Sequence, residues 1–127
     1  MTEPSATYSR ESVAASTLRE LRELAELAGD LGQFRELIDL FLSELESGLA
    51  SMREALAQGD AEGLGKLAHS LKGSSASMGA VILASLCRTL EELAKKTELE
   101  GARAQLEQIE SEIHIVRETL ERETSNY

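Results

Sequence analysis

Apolar residues recur every three or four positions along most of this 127-residue chain, and the recurrence is interrupted only at short polar or glycine-bearing stretches. The spacing predicts five helices. In "TLRELRELAELAGD", Leu18, Leu21, Leu24, Ala25 and Ala28 share a helical stripe that stops at Gly29-Asp30. From about Leu31 to Gln58, the residues Phe34, Leu37, Ile38, Phe41, Leu45, Leu49, Met52 and Leu56 hold one face over roughly seven turns, a long second helix. Asp60 is placed to N-cap a third helix that reaches about Met78, where Gly79 suits a left-handed C-terminal position. Leu83, Leu86, Cys87, Leu90, Leu93 and Ala94 define the inner face of a fourth. After "KKTELEG", a fifth carries Ala102, Leu106, Ile109, Ile113, Val116 and Leu120 inward.

Composition agrees with this pattern. A single proline near the N-terminus and few aromatic residues, beside abundant Leu, Ala, Glu and Arg, favour helix over sheet. Short connections favour antiparallel neighbours. The expected fold is therefore all-α: an antiparallel four-helix bundle of the second to fifth helices, with an additional N-terminal helix packed across one end. The length fits one domain. The expected organisation is a flexible N-terminal segment over 1–12, the bundle over 13–122 and a C-terminal tail over 123–127.

The formal charge of −10 argues against two partner classes, nucleic acid and anionic membrane, because no basic cluster offsets it locally. No apolar run approaches the length of a membrane span, and "MTEPSATYSRES" lacks the apolar core of a signal peptide, so a cytoplasmic location is expected. The lone cysteine, Cys87, sits at core spacing and reads as a buried thiol.

The third helix holds the candidate chemistry. With Leu67 at zero and about 100° per residue, Leu64, Leu71, Ser74 and Met78 lie within about 60° of it, and the core centre falls near 35°. His69 then lies about 165° from that centre, exposed, on an outer face shared with Gly65, Lys72, Gly73 and Ala76. A mid-helix glycine is less favourable than alanine by about 0.8–1 kcal/mol. Two of them beside an exposed imidazole make steric sense if a partner must reach a ring nitrogen. A histidine that is merely on the surface is the plainer reading of the same geometry.

Lys72, three residues on, would lie beside the ring, where an ammonium can hold an anionic group. Neutral imidazole is a nucleophile, and a hydrogen bond at one nitrogen selects the other. Glu91, at the edge of the fourth helix's apolar stripe, is placed to accept from Nδ1–H and leave Nε2 free. A solvated flank glutamate is the alternative at that position.

The run "AHSLKGSSASMGA" followed by "LCRTLEEL" closely resembles the histidine-containing phosphotransfer (HPt) domain of two-component phosphorelays, over about Leu18 to Lys96. The match is densest at Ala68, His69, Leu71, Lys72, Gly73, Ser74, Ser75, Gly79 and Ala80; the last helix and the first seventeen residues carry no diagnostic match. The resemblance implies a phosphocarrier in which His69 accepts a phosphoryl group on Nε2 from an aspartyl phosphate and passes it to another receiver. It assigns Lys72 to the phosphoryl charge and Gly73 to close partner docking; the outer face that Gly65 and Ala76 share with His69 extends the expected docking surface to them. Glu91 carries over more weakly, because the family varies in the residue that orients the ring. The implied partner is the receiver domain of a response regulator or a hybrid sensor histidine kinase. The chain is expected to be a monomer without a cofactor of its own, Mg²⁺ belonging to the receiver.

Other signals are set aside. "GLGKLA", Gly63 to Ala68, fits a dinucleotide fingerprint, but no strand precedes it. Gly65-Lys66 is not a P-loop, so no kinase chemistry is expected. His114 lies on the outer face of the last helix. Two histidines and one cysteine on three helices give no zinc-ligand spacing, and no metal site is expected. Ser74 and Ser75 read as packing residues. The competing functional class is a helical adaptor that binds a signalling protein without being phosphorylated.

Overall fold

A computed structural model describes residues 13–124, and every regular element in that range is helical: α1 Ala15–Leu27, α2 Leu31–Ala57, α3 Ala61–Ser77, α4 Val81–Lys95 and α5 Leu99–Thr124. The segment 1–12, expected to be flexible, and residues 125–127 of the expected tail lie outside this range. The last helix starts at Leu99 and runs through Thr124, two residues into the expected tail.

Each connection is three residues long, and one device closes all four. The backbone N–H groups of Asp30, Asp60, Ala80 and Glu98 donate to the carbonyls of Ala25, Ala55, Ser75 and Leu93, at 2.8–2.9 Å. This is the Schellman closure, in which the residue before the donor takes a left-handed conformation. Gly29, Gly59 and Gly79 fill that place in the first three connections, and Thr97, at φ 56°, fills it in the fourth. Asp30 and Asp60 then cap the helices that follow, accepting from the N–H groups of Gln33 and Gly63. Such short closures force consecutive helices to run antiparallel.

The four long helices form a ring in which α3 packs on α2 and α4, and α5 closes it against both α4 and α2. Ile38, Phe41, Leu45, Leu64, Leu90 and Ile109 are among the side chains sealed in the centre. Two ion pairs, Arg53–Glu110 and Arg117–Glu46, bridge α2 and α5 at the surface. The N-terminal helix packs on α2, and Ala14 N–H donates to the Gly79 carbonyl at 2.9 Å, which ties the start of α1 to the α3–α4 turn. A Cβ on Gly79 would come within 2.8 Å of the Thr17 side chain, so this turn needs glycine for approach as well as for φ.

The fold differs from the sequence reading in which residues face inward. Leu24 and Ala28 are exposed, because α1 buries a narrow stripe and needs little of its own apolar face, and Leu37 on α2 is exposed as well. On α3 the inward positions are Leu64, Ala68, Leu71 and Ser75, with Met78 buried at its C-cap. Ser74 and Leu67, expected at the core, are half-buried instead. The helix is rotated toward α4, where small residues permit close packing. Cys87 is buried, and loss of hydration pushes its thiol up to about 12. No helix among the described residues is long and apolar enough to cross a membrane.

Candidate functional site

The site is built across α3 and α4, the most extensively packed pair of helices. Ala68 is fully buried between them, and a Cβ placed on Gly65 would meet the Ala94 methyl at 3.5 Å. Small side chains at this level bring the two backbones together. Glu91, one turn before Ala94 on α4, is thereby carried beneath the outer face of α3.

His69 stands at the middle of α3 with its side chain 67% exposed, and its Nδ1 lies 2.9 Å from Glu91 Oε2. Glu91 is buried, its side chain only 10% exposed, and its second oxygen Oε1 accepts from Lys72 Nζ at 2.8 Å. Lys95, one turn beyond Glu91 on α4, brings its ammonium to 3.7 Å from Oε2. The Lys72 hydrogen bond holds the Glu91 carboxyl below the usual carboxylate range; burial opposes this, and the His69 hydrogen bond adds to it.

An ionised carboxylate only accepts, so the imidazole proton that meets it resides on Nδ1. Nε2 then carries the lone pair and has no partner among the described residues. The result is an exposed, oriented nitrogen nucleophile beside an ammonium.

The sequence reading placed His69, Gly73 and Ala76 on an exposed face, and all three lie there. Two members of the group differ from expectation. Lys72 is not a free surface lysine: its side chain is 28% exposed and bound to Glu91. Gly65 is half-buried against Ala94, whereas a Cβ on Gly73 would meet nothing within 4 Å. The two glycines are therefore not equivalent. Gly65 lies on the floor of a groove of about 490 Å³ that His69, Glu91, Ala94 and Lys95 also line, and Gly73 lies on the open shelf beyond the ring. The solvated alternative for Glu91 is ruled out by its burial. Lys95 was not recognised in the sequence as part of this group, although its i,i+4 relation to Glu91 was available.

The remaining signals carry no separate site. Gly63 to Ala68, the dinucleotide-like run, is interior to α3, where Gly65 and Ala68 serve the packing on α4. His114 is exposed on α5 and pairs with Glu118 at 3.5 Å.

A helical bundle with an exposed histidine at the middle of one helix, its ring held by a side chain from the next, is the arrangement expected of a phosphotransfer domain. The Hpt domain family model matches residues 36–119, and the chain belongs to this family. The match reaches well into α5, which the sequence reading had left without diagnostic features, and it begins after α1. The histidine-containing phosphotransfer protein B (HptB) of Pseudomonas aeruginosa PAO1 is 39% identical, with a TM-score of 0.85 over 93% of this chain and 98% of that one. The histidine-containing phosphotransfer protein ZmHP2 from maize, at 22% identity, shares the fold with a TM-score of 0.81 over 97% of each chain. No curated protein matches the sequence significantly. The chain is a phosphotransfer protein of phosphorelays, a class whose members carry phosphoryl groups and interact with receiver domains.

Proposed function

We propose that His69 is the phosphoryl acceptor and donor of this protein. The observation that carries the reading is the pairing of Nδ1 with Glu91 on a ring that is otherwise exposed. The Nε2 lone pair attacks phosphorus of a receiver's aspartyl phosphate; the N–P bond forms as the P–O bond breaks, and the receiver's carboxylate leaves with the electron pair. Donation to a second receiver reverses the step. Lys72 lies beside the ring and faces the incoming phosphoryl charge, with strong charge-assisted contacts available to it. Receivers dock over the shelf of Gly73 and Ala76 and the groove floored by Gly65. In this reading the chain works as a cytoplasmic monomer without its own cofactor or ATP chemistry, and the receiver supplies Mg²⁺.

The test is incubation with a phosphorylated receiver domain. We expect acid-labile label on the wild-type chain, none on His69→Gln, and wild-type labelling on His114→Gln. A phosphorylated His69→Gln protein would overturn the assignment. An adaptor of the unphosphorylated kind would take no label in any form.

A further inference from the structure

Glu91 is a carboxylate rather than a neutral hydrogen-bond acceptor, and charge at this position has a consequence for the leaving group. We infer that Glu91 acts as a positioning residue for the imidazole proton: its negative charge keeps Nδ1 protonated after phosphorylation, so that donation releases neutral imidazole. This inference rests on the reading of His69 as the acceptor.

The chemistry is balanced as follows. When Nε2 of the Nδ1–H tautomer takes the phosphoryl group, the ring keeps its proton and becomes cationic. On donation the N–P bond breaks and its electron pair returns to Nε2, which yields neutral imidazole with the proton still on Nδ1. If that proton had been lost first, the same bond cleavage would have to expel an imidazolate, a far poorer leaving group. Whatever holds the proton therefore holds the donor competence of the site.

The charges around the ring favour retention. On α3 they are Lys72, with Lys66 and Glu62 paired to each other at 3.8 Å; on α4 they are Glu91 and Lys95. The described ion pairs of α2 and α5 with a partner on another helix join those two helices to each other and do not face the ring. A phosphoryl dianion is offset by Lys72 and Lys95 together. Glu91 is then the charge left over, and the cluster is neutral only if the imidazole is protonated. With a neutral side chain at 91, neutrality is reached with the proton gone. The contact is direct, since Oε2 stands 2.9 Å from Nδ1, and it is largely shielded from solvent, since Glu91 is buried. A negative charge at this range favours the protonated form of the ring over the neutral one.

The experiment uses the full chain phosphorylated with phosphoramidate, a small donor that needs no receiver. Donation to a receiver domain is timed between about pH 6 and 9, with ¹⁵N–¹H spectra of the phosphorylated ring recorded in parallel. In Glu91→Gln we expect both the fall in donation rate and the loss of the Nδ1–H signal to shift together to lower pH than in wild type. Lys95→Gln removes a cation and should move both in the opposite direction. Profiles for Glu91→Gln that coincide with wild type would overturn the inference, as would shifts of the same sign in both variants. Failure of the acceptor reading looks different: His69→Gln treated with phosphoramidate would then still pass label to the receiver domain. A thermal unfolding scan of each variant separates a shift in the profile from loss of folded protein.

Discussion

Glu91 and Lys72 meet through the carboxylate oxygen that the imidazole does not use, Nζ to Oε1 at 2.8 Å, while His69 Nδ1 takes Oε2 at 2.9 Å. One buried carboxylate thus fixes a nucleophile and a cation from the neighbouring helix in a single geometry. The arrangement makes the lysine part of the fold as well as of the site, and its removal has two readable effects.

Lys72→Ala leaves a buried carboxylate short of its strongest partner, with only Lys95 and the imidazole remaining. We expect a loss of about 1–2 kcal/mol in denaturant unfolding, less than for a fully sealed ion pair because Lys72 is partly solvated. Phosphoryl transfer should slow as well. A stability within about 0.5 kcal/mol of wild type would place the pair among ordinary surface bridges.

The Glu91 carboxyl titrates below its unfolded value, so the sign of its contribution is fixed. The stabilisation is fully present above the ordinary carboxylate range and is lost as pH falls through the lowered native value. The stability difference between wild type and Glu91→Gln should therefore be largest near neutral pH and shrink toward pH 3. Chemical unfolding across that range checks it; a difference independent of pH would mean that shape, not charge, sets the cost of the change.

At position 73 stability and docking are expected to separate. A Cβ there meets nothing, so Gly73→Ala should stabilise an exposed helix interior by up to about 1 kcal/mol. Gly73→Gln should weaken receiver affinity at an equal or higher melting temperature. Titration calorimetry and thermal unfolding on the same protein read both quantities. A variant that binds normally but melts lower would assign Gly73 to backbone geometry.

Ser75 is sealed in the core with an Oγ that makes no hydrogen bond. Burying a hydroxyl without a partner costs about 1–3 kcal/mol by mutational measures, and alanine removes the group while leaving little space behind. Ser75→Ala should unfold at a denaturant concentration equal to or above that of wild type, with phosphoryl transfer unchanged. A loss of more than about 1 kcal/mol would reveal a partner for the hydroxyl.

Much of this molecule is written locally. The three- and four-residue periodicity delimits five helices, Asp60 caps one, Gly79 ends it, and the angle from Leu64 and Leu71 puts His69 outside; each of these follows from a few consecutive residues and the geometry of one helix. The relations between helices are not local. Whether Glu91 is solvated or buried depends on how near α4 lies, and that distance is set by Ala68 and by Gly65 against Ala94 across the interface. The same approach rotates α3, so that Ser75 rather than Ser74 enters the core, and draws Lys72 from solvent onto a carboxylate. It also separates two glycines that look alike on a helical wheel, one against α4 and one open to solvent. Sequence periodicity resolves a face to within a residue's width of about 100°; packing decides the remainder, because burial is a property of pairs of surfaces, and the second surface comes from elsewhere in the chain.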